Sequence, residues 1–297
     1  MRSIIIPETY KYMSAFLTMR CNLKCSYCLN TLNNEGDFKR TKFMEISGEK
    51  WVNALNRIES RLDLPITFTG GEPFLHKDFV YIINSLKHDL NIDVLTNLCF
   101  DDRRIDKFIS EVDPQRIKRD SPYASIRVSY HPEQIGRGEK LVENVKKFQD
   151  AGFSIGMYYV AYPGTRESEL VTQMQFRCLD AEIDFRRKDF TGKYKGELYG
   201  DYSKHPNSIL QEKTFPVLCR TSELLMGPNA GVYRCHRDLY HEEFSVGNLT
   251  NPSFEIQDVF RKCDLYGRCD PCDVKVKTNY KQRLEHTSVE VKNISKN

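Results

Sequence analysis

Residues 21–28 read Cys-Asn-Leu-Lys-Cys-Ser-Tyr-Cys, directly after the apolar run 12–18. Three thiols from one tight loop can hold three irons of a [4Fe–4S] cube and leave the fourth iron without a protein ligand. An open position on a metal is what a substrate or cofactor needs in order to bind it. Zinc is the alternative, but it prefers four closed ligands in paired spacings, and no fourth Cys or His follows closely. The chain has 10 cysteines in 297 residues. A core this large needs no disulfide framework, so clustered thiols point to metal.

Short β-rich runs near 12–18, 65–69, 91–96, 124–130, 154–160 and, more weakly, 182–186 alternate with stretches of helical spacing. In 45–60, Trp51, Leu55 and Ile58 share a helical face; Val142, Val145 and Phe148 do so in 139–151, before the stop signal Ala151-Gly152. This alternation predicts βα units on a parallel sheet. The rhythm breaks after about 190, and residues 190–216 read as an irregular excursion. We expect a boundary near 205, a cysteine-rich module over 206–282 stapled by metal, and a polar, disordered tail over 283–297. A net charge of +3 makes no case for nucleic acid or an anionic membrane. No apolar run reaches membrane-spanning length, and the start lacks a secretory h-region, so the expected location is cytoplasmic.

The C-x3-C-x2-C loop with Tyr27 before its last Cys, followed by Gly70-Gly71-Glu72-Pro73 at the end of the second strand, resembles the radical S-adenosylmethionine (radical SAM) enzymes. The resemblance covers residues 12 to about 190 and implies a partial (β/α)6 barrel of the TIM type, with the site at the C-terminal ends of the strands. It implies that Cys21, Cys25 and Cys28 hold the cluster, that Tyr27 lies near the adenine, and that the 70–73 segment holds the methionine amino group. Asn97, in a Thr-Asn-Leu where the family has Thr-Asn-Gly, and Ser129 take further positions near SAM. The implied chemistry is reductive cleavage of SAM to a 5′-deoxyadenosyl radical, which takes a hydrogen atom from an unactivated carbon. The electron comes from a flavodoxin- or ferredoxin-type partner.

Cys219, Cys235 and the pair Cys269/Cys272 resemble the ligands of a twitch domain, the shorter relative of SPASM, which holds one auxiliary [4Fe–4S] cluster. Ala230 stands where that family has Gly, Cys263 is an alternative ligand, and zinc suits four thiolates equally well. Cys178 reads as core. Cys99 follows the third strand and is a candidate hydrogen-atom donor, set against the plainer reading of a small buried hydrophobe. Arg186-Arg187-Lys188 is either a solvated face or a grip on a substrate carboxylate or phosphate, and His236 either a base or a structural residue. Oxidation, or epimerisation, of a small polar molecule such as a sugar or aminocyclitol is the expected function. Maturation of a ribosomal peptide and non-enzymatic metal binding are the alternatives; only twenty residues precede Cys21, which leaves no room there for a peptide-recognition domain.

Overall fold

The computed structural model describes residues 2–29, 44–61, 63–163, 167–209, 213–277 and 286–294. Six strands form the parallel body of a nine-stranded sheet: β1 (Tyr12–Thr18), β2 (Ile66–Gly70), β3 (Ile92–Thr96), β4 (Ile126–Tyr130), β5 (Ile155–Ala161) and β6 (Phe185–Asp189), adjacent in chain order. Helices cover one face: α1 (Gly48–Leu55), α2 (Phe79–Ser85), α3 (Asp102–Glu111), α4 (Glu139–Asp150) and α5 (Glu167–Asp180). Met13, Ala15 and Leu17 of β1, Phe68 of β2 and Val94 of β3 point to that side and pack with Trp51, Phe108 and Phe148 in one large core. Alternate residues, among them Asp93, Arg127 and Tyr158, face the concave interior. This is the mixed α/β, partial-barrel class expected from the alternation of runs. Among the described residues, no helix is long and apolar enough to cross a membrane.

Local chemistry sets the element ends. Ser47 caps α1 through the Lys50 amide, and Asp101 caps α3 through the Arg104 amide. The helix expected over 45–60 stops at Leu55, because Ile58 instead enters a two-residue strand parallel to Ile4–Ile5. The sixth strand starts at Phe185, later than expected. Glu182 adopts φ +55° in the turn after α5, and the Ile183 amide closes on the Cys178 carbonyl at 2.7 Å. Leu98 follows β3 with φ +49° and is fully buried. It occupies the left-handed region that favours glycine, at a cost of about 1 kcal/mol.

The C-terminal strands continue the same sheet. After β7 (Phe215–Thr221) comes β8 (Glu223–Met226), which pairs parallel to β1 with Glu223 opposite Tyr12. β9 (Gly231–Tyr233) and β10 (Ser245–Asn248) extend it antiparallel. Residues on both sides of the expected boundary near 205 therefore share one sheet. A separate three-stranded sheet has β7 between β11 (Arg261–Tyr266) and β12 (Val289–Asn293). That last strand corrects the expectation of a disordered tail: Val289 is buried and Val291 packs beside it, which repays ordering of an otherwise polar segment. Residues 283–285 and 295–297 of the expected tail lie outside the described residues. The irregular excursion contains a hairpin, Gly192–Tyr194 with Glu197–Tyr199.

Arg57 joins the two halves. Its buried guanidinium donates to the carbonyls of Arg2, Leu249, Asn251 and Pro252 at 2.7–3.0 Å. Arg57→Met strands these acceptors and is expected to lower stability by about 3 kcal/mol in denaturant unfolding, with proteolytic nicking near 249–256; an unchanged midpoint would show the clasp to be dispensable. At Leu98 the usual order of small residues is expected to invert. Leu98→Ala loses about 2–5 kcal/mol of packing, whereas Leu98→Gly relieves the backbone and should be the more stable of the two by about 1 kcal/mol. Unfolding curves that rank alanine above glycine would refute that account.

Candidate active site at the strand C-termini

The cysteine loop leaves the end of β1 and is held against three other strand ends. The Gly71 amide donates to the Thr18 carbonyl at 2.8 Å and the Glu72 amide to the Arg20 carbonyl at 2.7 Å. A Cβ on Gly70 would lie 2.1 Å from the Thr18 carbonyl oxygen, and one on Gly71 2.1 Å from that of Arg20. The paired glycines thus let the second strand end close on the backbone that leads into the cysteines. Pro73 opens a short 3-10 turn, Pro73–Leu75, capped by Glu72.

Glu72 is almost wholly buried. Its carboxylate accepts from Thr96 Oγ1 at 2.7 Å, the Asn97 amide at 2.7 Å and the Phe74 amide at 3.2 Å. Burial pushes its pKa up to about 7, while the three donors pull it back. The carboxylate expected to face a methionine ammonium is thus engaged in tying β2 to β3. Asn97 carries the connection on: its Nδ2 reaches Cys21 Sγ at 3.7 Å and Asn22 Oδ1 at 2.8 Å, and its Oδ1 accepts from the Cys99 amide at 2.9 Å. Asn22 Nδ2 returns to the Cys99 carbonyl at 2.8 Å.

The other side of the loop rests on the segment after β4. Glu133 accepts from the Ser26 amide at 2.6 Å and its hydroxyl at 2.8 Å, and Gln134 from the Lys24 amide at 3.3 Å. Tyr27 is buried, its hydroxyl 2.7 Å from His131 Nδ1 and its ring 4.5 Å from that of Tyr162. Burial lowers the His131 pKa to about 4, so the imidazole is neutral. The sequence reading named Tyr27 and Ser129 but not Asn22, His131, Glu133 or Arg20, whose guanidinium binds Glu45 at 2.8 Å and the Leu75 carbonyl at 3.0 Å. The only available signal was a Pro-Glu-Gln following a strand, too common to carry weight.

The donor set fits a [4Fe–4S] cluster. Three thiols come from one loop, Cys25 is buried, and the Leu23 amide and Asn97 Nδ2 both aim at Cys21 Sγ, as suits a negatively charged sulfur. Burial, then the neighbouring Cys28 and Cys21, pushes the Cys25 thiol up, so ligation displaces a proton. Cys99 is close by, but its Sγ donates back to the Asn97 carbonyl at 3.2 Å and packs on the core between sheet and helices. Cys178 is core, 3.8 Å from Met157 Sδ.

The second set of thiols gathers beside β8 and β9. Cys219, Cys235 and Cys269 pack on one cluster with Tyr202 and Val274. In the β7–β11 register Val217 faces Cys263 and Cys219 faces Arg261, so Cys219 and Cys263 are diagonal neighbours on one face. Cys269, raised by burial, also feels Cys219 and Cys263. Cys272 sits differently: after burial, the charges acting on it are Asp270, Lys275, Lys277 and Asp273. Beneath lies a buried polar clasp. His236 Nδ1 is 2.8 Å from Asp273, and Lys277 Nζ is 2.6 Å from Glu223. Burial alone would lower the His236 pKa, but Asp273 dominates and lifts it to about 9. His236 is therefore a structural cation. Glu223, His236 and Asp273 are the one group among the described residues whose ligand atoms lie within 4.8 Å of one another. Lys277 already balances their charge.

An aromatic trio joins β1 to the short helix His236–His241 that follows Cys235. Phe16 of β1, His236 and Tyr240 lie with ring centroids 6.0–6.3 Å apart. Burial, then the nearby Asp270, Cys272 and Cys28, raises the Tyr240 phenol.

The sequence matches the family described as the Radical SAM superfamily over residues 16–176, more than half of the 297-residue chain. It is 23% identical over 193 residues to the GTP 3′,8-cyclase of Sulfurovum sp. (strain NBC37-1), covering 60% of this chain and 54% of that one. It is 34% identical over 82 residues to the PqqA peptide cyclase of Rhodopseudomonas palustris, covering 28% of this chain and 20% of that one. The chain thus spans about half the length of the first of these relatives and a fifth of the second. The fold is similar to that of SuiB from Streptococcus suis, with a TM-score of 0.52 at 11% identity, over 85% of this chain and 64% of that one. The chain belongs to the radical SAM superfamily of enzymes, whose members hold a [4Fe–4S] cluster and SAM.

Proposed function

We propose that the protein abstracts a hydrogen atom from a small polar substrate inside the barrel, and that its C-terminal thiols hold a second, twitch-like [4Fe–4S] cluster that accepts one electron in a net two-electron oxidation. The observation that carries this reading is the second group of thiols itself: Cys219, Cys235 and Cys269 pack on one cluster, and the β7–β11 register sets Cys263 beside Cys219, apart from the first loop. With the first cluster and SAM bound, the chemistry supplied at the strand C-termini is reductive formation of a 5′-deoxyadenosyl radical, fed by a flavodoxin- or ferredoxin-type donor.

The chain's own residues have distinct tasks. Cys21, Cys25 and Cys28 ligate the first cluster, and Asn97 orients Cys21. Gly70, Gly71, Glu72 and Pro73 hold the strand ends at the spacing SAM requires, Tyr27 and His131 bound the adenine side, and Ser129 offers a hydroxyl from β4. Cys219, Cys235, Cys263 and Cys269 are the second set we favour, with Cys263 in place of Cys272 on the strength of the β7–β11 register. No three described cysteines have their sulfurs within 4.8 Å of one another. Oxidation is favoured over epimerisation because the Cys99 thiol is bonded to its own turn. Peptide modification keeps the support of the PqqA peptide cyclase match, which spans only 82 residues.

Anaerobic reconstitution should give about eight irons per wild-type chain and about four in a Cys21/Cys25/Cys28→Ala variant, and only the wild type should release 5′-deoxyadenosine. Four irons with bound zinc in the wild type would remove the electron acceptor and bring epimerisation forward. Separately, Cys263→Ser is expected to lose the second set's iron while Cys272→Ser retains it. The reverse result would restore Cys272 as the fourth ligand.

A further inference from the structure

A large cavity lies inside the barrel, against the N-terminal halves of β1 to β4 and the inward residues of β5 and β6. Its volume is about 730 Å³, and Tyr12, Thr67, Asp93, Arg127, Tyr158 and Lys188 mark its wall from β1 to β6. Lys11, Arg61 and Arg186 add further cations, against the carboxylates of Asp63 and Asp93. Some of this charge is internally matched. Arg61 pairs with Asp63 at 3.2 Å and Arg186 with Asp184 at 2.7 Å. Asp93, however, serves two guanidiniums, Arg119 at 2.7 Å and Arg127 at 3.1 Å. The charges acting on Lys188 are two further cations, Arg127 and Lys275, and the Cys272 thiol. The cavity therefore carries an excess of positive charge.

Two polar atoms on the wall have no hydrogen-bond partner among the described residues: the Tyr158 hydroxyl and Arg127 Nε. Tyr158 is only 7% exposed, and Lys188 Nζ lies 5.1 Å from the centre of its ring. A buried donor without an acceptor costs about 1–3 kcal/mol, which a ligand oxygen would recover. The Lys188 side chain is exposed to the open cavity, yet desolvation by the surrounding wall, then Arg127 and Lys275, lowers its pKa to about 8, and a bound anion would restore the ammonium.

We propose that this part of the barrel binds the oxyanion end of the substrate, a phosphate or carboxylate group carrying two or more negative charges, through Lys188, Arg127, Lys11 and the Tyr158 hydroxyl. This rests on the reading of the barrel interior as the substrate chamber. Arg127 lies two residues before Ser129 on β4, about 7 Å toward the N-terminal ends, whereas Tyr158 is level with Ser129 and Lys188 with Val160, so the cationic wall runs obliquely across β4 to β6 beside the Ser129 position. A small molecule gripped at these cations keeps a neighbouring carbon within the upper barrel, where the radical forms. A cationic aminocyclitol is disfavoured in such a chamber, and an acidic or phosphorylated sugar is favoured.

The test is calorimetric titration of the reconstituted holoprotein, at low ionic strength and without reductant, with inorganic pyrophosphate and with citrate. Binding of either with a Kd of about 1 mM or tighter is expected, and the stronger of the two tells phosphate from carboxylate. Lys188→Gln should weaken it about tenfold or more, and Tyr158→Phe, which deletes only the hydroxyl, severalfold. Lys146→Gln, on the outer face of α4, serves as the surface control and should bind as wild type. Failure of both anions to bind at about 10 mM, or wild-type binding by both cavity variants, overturns the proposal. A protein that released 5′-deoxyadenosine yet bound neither anion would lose this inference alone, whereas one that bound the anions and cleaved no SAM would lose the catalytic reading instead.

Discussion

A single buried carboxylate holds the catalytic end of this barrel together. Glu72 receives donors from its own turn and from Thr96 and Asn97, and Asn97 extends the link to Cys21. Strand ends in a parallel sheet have no partner beyond the last ladder bond, so they splay unless side chains join them. Here the joining group is a carboxyl in a dry site, where each hydrogen bond is stronger than in water and each unmade one costs more. The cysteine loop inherits that order, and the close approach allowed by Gly70 and Gly71 holds it to the same frame. Cluster geometry, in this reading, is a by-product of how three strand ends are fastened.

The C-terminal part is attached by the same means. Its strand β8 lies parallel to β1 and supplies Glu223 opposite Tyr12, so the second thiol set is indexed to the strand that leads into the first. Arg57 adds a second tie, to carbonyls after β10. Two fastenings on opposite edges of one element leave little freedom between the thiol sets. A fixed separation is what electron transfer between them would require.

The interior divides into two parts. Around the cysteine loop, polar groups are saturated by one another and hold the loops. Along the β4–β6 wall, Tyr158 and Arg127 keep unmatched donors beside an excess of positive charge. A protein interior tolerates unmatched donors only at a cost, and beside a cationic cavity a bound anion is a group that would remove it.

The βα rhythm, the six strands and the first cysteine loop were legible because each is local. Apolar alternation sets which residues face the helices, and C-x3-C-x2-C places three thiols on one turn whatever surrounds it. The positions of Glu133, His131 and Asn22 around that loop were not legible, since their partners lie about 75 to 110 residues away in the chain and their residue types are common. The tail strand Val289–Asn293 escaped for a related reason: two valines among charged residues order only because β7 offers an open edge. The nearness of Cys263 to Cys219 was not legible from spacing either, because a register between β7 and β11, and not distance along the chain, brings the two together. By itself the sequence determined the chemistry it carries and the sheet that would hold it, because periodicity and short spacings act over a few residues. Only the tertiary structure decided what closes around the loop, which thiols meet, and where positive charge collects inside the barrel, because those depend on contacts between residues that the chain itself keeps far apart.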